Sequence, residues 1–92
     1  MRITAAVGRT VDLELRSAPV TGYRWRPGDI PDGVEIVDAG FTPEPGGQPG
    51  DGGTQHFLIR ATAPGPYAVE FRLARAWNGD AADTRTIEII TT

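Results

Sequence analysis

The stretch Tyr67-Ala68-Val69-Glu70-Phe71-Arg72-Leu73-Ala74 decides the fold. Tyr67, Val69, Phe71 and Leu73 alternate with Ala68, Glu70, Arg72 and Ala74. Successive side chains of an extended chain point to opposite faces, so this period of two places one set in a core and the other in water. The same alternation sets Phe57, Ile59 and Ala61 against Leu58, Arg60 and Thr62, and Val11, Leu13 and Leu15 against Asp12, Glu14 and Arg16. Val34–Val37 and Ile87–Ile90 are shorter β-rich runs, Tyr23–Arg26 is another, and residues 2–7 read as an edge strand. Turn signals separate them: Gly8, Pro27-Gly28-Asp29, Pro31-Asp32-Gly33, Pro64-Gly65-Pro66 and Asn78-Gly79-Asp80. The expectation is all-β: an immunoglobulin-like Greek-key β-sandwich of about seven strands, forming a single domain over residues 1–92.

Composition narrows the chemistry. The 92 residues carry a net charge of −3 from 9 basic and 12 acidic side chains, and every basic one is Arg. Without a basic cluster the chain is a poor partner for nucleic acid, which needs a positive face to neutralise phosphate. Cysteine is absent, which removes disulfides, thiol nucleophiles and thiolate zinc sites. The only serine, Ser17, and the only histidine, His56, fall on different expected strands, and no Gly-x-Ser-x-Gly elbow surrounds Ser17. An enzyme is therefore not expected, nor is a metal or other cofactor. His56 alternates out of phase with Phe57 and reads as a solvated strand residue. No apolar run reaches membrane-spanning length, and no apolar segment follows Met1 as a secretory leader does. The chain reads as a monomer, either cytoplasmic or exported with its leader already removed.

Three segments stand apart from the alternation. The first, Ala18-Pro19-Val20-Thr21-Gly22-Tyr23-Arg24-Trp25, follows the strand ending at Arg16. Pro19 restricts the backbone there, and Gly22 allows a positive φ and a close approach by another chain. Trp25 is expected in the core, as a buried Trp on the third strand of a sandwich often is. The second lies in the Gly/Pro-rich run Thr42–Gly53, which lacks apolar residues and reads as a loop. Its end, Gly50-Asp51-Gly52-Gly53-Thr54, leaves backbone N–H groups uncovered. Asp51 and the lack of a following Lys exclude a phosphate-binding loop. The third is Arg75-Ala76-Trp77-Asn78-Gly79, where alternation in phase with Tyr67 and Leu73 reads Trp77 as a core residue at the rim, and its place beside an Arg and a turn reads it as an exposed interface anchor. These are the second-to-third, fourth-to-fifth and sixth-to-seventh connections, which cluster at one end of a Greek-key sandwich.

In these segments the chain resembles the chagasin family of cysteine protease inhibitors. The family's patterns are close to N-P-T-T-G-[YF]-x-W, G-x-G-G and R-P-W. Ala18–Trp25 is similar to the first, with Ala18 for Asn and Val20 for Thr; Gly50–Gly53 matches the second; Arg75-Ala76-Trp77 is similar to the third, with Ala76 for Pro. The resemblance implies reversible, non-covalent plugging of a papain-like cleft by residues 18–23, 46–54 and 75–79. Pro19, Val20, Thr21, Gly22 and Tyr23 form the first contact, with the 20–22 tip nearest the catalytic Cys. Gly50, Gly52, Gly53 and Thr54 lie along the non-primed wall as an added strand. Arg75 and Trp77 engage the primed side. The three departures remove pre-organising groups, so they weaken binding rather than abolish it.

Two other readings compete. One is a non-inhibitory sandwich module that serves as an interaction domain in a bacterial envelope or secreted system. The other is a carbohydrate-binding face built on Trp77 with Tyr67 or Tyr23, which alternation disfavours because it turns both tyrosines inward.

Overall fold

The computed structural model describes residues 1–17, 22–44, 46, 52–75 and 81–92. Seven strands, and no helix, appear among the described residues: β1 (Arg2–Ala5), β2 (Thr10–Ser17), β3 (Tyr23–Pro27), β4 (Val34–Pro43), β5 (Gly53–Ala61), β6 (Gly65–Arg75) and β7 (Ala81–Thr91). They form two sheets, ordered β1-β7-β6-β3 and β2-β5-β4. All pairings are antiparallel except that of β1 along β7. The β2-β5-β4 and β7-β6-β3 groups are the two halves of an immunoglobulin-type sandwich, as the alternation predicts.

The inward set of each strand makes the core. Leu13 and Leu15 of β2, Phe57, Ile59 and Ala61 of β5 and Val34 of β4 meet Trp25, Val69, Phe71, Ile87 and Ile89 of the other sheet, all buried. Phe57 and Phe71 join the sheets edge to face, with ring centroids 5.0 Å apart, a geometry worth about 0.5–1.5 kcal/mol beyond the area buried. Tyr67 is half-buried, packs against this core and donates its hydroxyl to the Ala63 carbonyl at 2.8 Å. That placement takes Tyr67 away from any exposed stacking platform.

The strands outrun their apolar runs. β4 continues past Val37 through a bulge between Asp38 and Gly40, where the Gly40 N–H donates to Asp38 Oδ1 at 2.9 Å. Thr42 and Pro43 are therefore strand rather than loop. Pro43 is tolerated because β4 lies at a sheet edge, where a missing N–H costs no ladder bond. β7 begins at Ala81, six residues ahead of Ile87, and is held there by pairing to β6 rather than by burial. β1 stops at Ala5, short of the expected residue 7.

Candidate functional site

Pairing registers define what converges at one end of the sandwich. Gly53, the first residue of β5, is flanked by Ser17 at the end of β2 and by Pro43 at the end of β4. In the other sheet, Tyr23 at the start of β3 pairs with Arg75 at the end of β6, and Ala74 pairs with Ala81 at the start of β7. Ser17 Oγ donates to the Tyr23 carbonyl at 3.4 Å and so ties the two groups together. The described residues flanking all three connections thus meet at one end. Of the expected site residues, Gly22, Tyr23, Gly52, Gly53, Thr54 and Arg75 are described there, whereas Pro19, Val20, Thr21, Gly50 and Trp77 lie outside the described residues.

Each described residue has a physical reason for its type. Gly22 has φ of 86°, a left-handed backbone that costs an L-residue about 1–2 kcal/mol. Gly22→Ala is accordingly expected to lower unfolding free energy by about 1–2 kcal/mol in urea denaturation. Tyr23 is half-buried beneath the Arg75 guanidinium, which stacks 4.6 Å from its ring centroid. This cation–π contact spans the β3–β6 pair and fixes the root of the third connection against the exit of the first. Gly53 is buried between β2 and β4, and the Glu44 N–H donates to the Gly52 carbonyl at 3.1 Å, closing the base of the second connection. Thr54 is half-buried between Arg16 and Thr42.

Other contacts at this end escape the sequence reading. Arg16 pairs with Glu44 at 2.8 Å and so links the bases of the first and second connections on the surface. Trp25 donates its indole Nε1–H to the Arg16 carbonyl at 2.6 Å, which holds the two sides of the first connection together. The Arg85 guanidinium lies 5.4 Å from the Trp25 ring centroid. Gln55 is buried in phase with Phe57 and Ile59. A polar residue in an apolar phase is the one signal that could have marked it.

His56 is half-buried on the outer face of the three-stranded sheet, not freely solvated. One ring nitrogen lies 2.9 Å from Thr42 Oγ1, and the other lies 3.3 Å from Asp12 Oδ2 and 3.9 Å from Glu14 Oε1. Both ring nitrogens have cross-strand partners, so His56 buttresses the β2-β5-β4 ladder. It pairs with Glu14 three positions along the ladder from the Ser17–Gly53 pair, and no serine hydroxyl is among its partners.

The comparisons with known proteins bear on the family and the fold. Residues 4–90 match the family described as Chagasin family peptidase inhibitor I42. Chagasin of Trypanosoma cruzi is 30% identical over an alignment that covers 95% of this chain and 84% of that protein. The fold is similar to the crystal structure of the cysteine protease inhibitor EhICP2 from Entamoeba histolytica, with a TM-score of 0.78 at 16% identity over 99% of this chain and 85% of the other. It is also similar to the solution structure of Amebosin, with a TM-score of 0.72 at 28% identity over 99% of this chain and 88% of the other. The chain belongs to the chagasin family. It is a protease inhibitor of the immunoglobulin-like sandwich type and not an enzyme.

Proposed function

We propose that the chain inhibits papain-like cysteine proteases reversibly and without covalent bonding, by inserting residues 18–23, 46–54 and 75–79 into the active-site cleft. The observation that carries this reading is the convergence of the described flanks of all three connections, Ser17/Tyr23, Pro43/Gly53 and Arg75/Ala81, at one end of a rigid sandwich. Anchoring each connection at both ends on the sandwich lowers the ordering cost of binding relative to a free peptide.

In this mechanism the Val20-Thr21-Gly22 tip faces the catalytic thiolate. The absence of a side chain at Gly22 admits the backbone to the cleft floor. The tip does not present a peptide bond in substrate orientation, so the chain blocks the nucleophile without being cut. Gly53 and Thr54 already have a strand on either side. They therefore hold the second arm, while Gly50 and Gly52 present backbone to the non-primed wall. Trp77 stacks on an aromatic of the primed side, and Arg75 stands behind it at the rim.

Titration of papain with the protein tests the proposal. Expected are competitive inhibition of a small fluorogenic peptide substrate, full recovery of activity on dilution, and an uncut chain by mass spectrometry. Absence of inhibition by folded protein at tens of micromolar would overturn the reading and favour a non-inhibitory module.

A further inference from the structure

We propose that Gln55 is the positioning residue that sets the three connections of the inhibitory end relative to one another; this rests on the inhibitor reading. β3 is the edge of its sheet, so at alternate residues its backbone N–H and C=O point away from β6 with no strand to receive them. At Trp25 the Gln55 side chain receives them both. The Trp25 N–H donates to Gln55 Oε1 at 2.9 Å, and Gln55 Nε2 donates to the Trp25 carbonyl at 3.0 Å. A carboxamide offers one acceptor and two donors, so a single side chain here pairs with a residue as a neighbouring strand would. The second Nε2 proton goes to Asp38 Oδ2 at 3.3 Å, and Gln55 is only 1% exposed.

Position makes this clamp more than a cover for an edge. Gln55 sits two residues past Gly53, where the second connection enters β5. Trp25 sits two residues past Tyr23, where the first connection enters β3. From Trp25 the contacts run on through the indole to the Arg16 carbonyl, on the other side of the first connection. Tyr23, on the same short strand, carries the Arg75 stack at the root of the third connection. Among the polar contacts described between the two sheets at this end, the Gln55 amide is buried and bonds to backbone with both of its arms. A plug of three separate segments needs their relative placement fixed before binding, since any looseness is paid out of affinity.

The test uses Gln55→Met, which keeps the length and volume of the side chain and removes the amide. Expected are a folded protein by circular dichroism, exchange of the Trp25 amide proton faster by about tenfold or more, and a papain inhibition constant raised about tenfold. Ile59→Val, on the inner face of the same strand but farther from the loop end, is the control. It lowers the denaturation midpoint and is expected to leave the inhibition constant of the folded protein unchanged. An unchanged inhibition constant for Gln55→Met would overturn the proposal. So would an equal rise in Ile59→Val, which would reduce Gln55 to a contribution to stability. If Gln55→Met fails to fold, Asp38→Ala decides. The Asp38 side chain is half exposed, and its loss leaves the second Gln55 Nε2 proton without the carboxylate that orients the amide; a weaker inhibitor with faster Trp25 exchange supports the clamp, and no change in either overturns it. A wild-type protein that does not inhibit papain defeats the inhibitor reading, whereas Trp25 exchange still reports on the clamp itself.

Discussion

Gly53→Ala is expected to destabilise the fold by about 3 kcal/mol or more, well beyond the cost of an ordinary glycine replacement. The reason is space. A Cβ built at Gly53 overlaps the Thr42 carbonyl oxygen and comes within 2.8 Å of Phe41 Cζ and 2.9 Å of Pro43 Cα. A side-chain neighbour can rotate away, but a backbone carbonyl moves only if β4 moves with it. Gly53 is also held from the other side by Ser17, so β5 cannot retreat without opening its pairing to β2. Separating β4 from β5 at this point would break the Glu44–Gly52 bond that closes the second connection. The measurement is the unfolding free energy from urea denaturation, read beside that of Gly22→Ala. Gly22 meets a conformational demand, since its φ is positive, whereas Gly53 meets a steric one. A Gly53→Ala protein as stable as wild type would mean that β4 does not approach β5 this closely.

The contrast bears on what a sequence can tell. Both glycines belong to patterns by which the chain resembles its family, and the patterns alone suggest that both serve the partner. The structure shows that Gly53 answers first to β4, since no partner has to be present for its Cβ to collide. Inner faces were legible throughout: Leu13, Leu15, Phe57, Ile59, Val69 and Phe71 are buried as their alternation requires, because burial is what a period of two encodes. Strand ends were not. Thr42, Pro43 and the first half of β7 are strand because a neighbour satisfies their backbone, and a neighbour distant in the chain leaves no local trace. Gln55 carries one trace, a polar residue in an apolar phase, but its role is illegible for a related reason. Its partner is the backbone of Trp25, and a backbone group looks the same whatever residue carries it.

The family patterns fill part of that gap at Trp77, which is expected to carry much of the binding energy. Trp77→Ala is expected to raise the papain inhibition constant by about thirtyfold or more, equivalent to about 2 kcal/mol, while leaving the urea midpoint within error. Three observations support an effect of this size. Trp25 already supplies a buried tryptophan to the core on β3. The other aromatics among the described residues are committed to the fold: Phe57 and Phe71 to each other, Tyr67 to the Ala63 carbonyl, Tyr23 to Arg75, and Phe41 half-buried beside Gly53. A protein with net charge −3 and no basic cluster has little long-range attraction to lend. An inhibitor so built depends on shape and on apolar contact, and a large aromatic anchor is the usual concentrated form of both. The two readouts separate the outcomes. A lower urea midpoint together with weaker inhibition would make Trp77 part of the fold, and an unchanged inhibition constant would remove it from the interface. The same experiment at high salt is a second check: inhibition by the wild-type protein is expected to change little, because the proposed contact relies on burial and backbone pairing rather than on exposed charge.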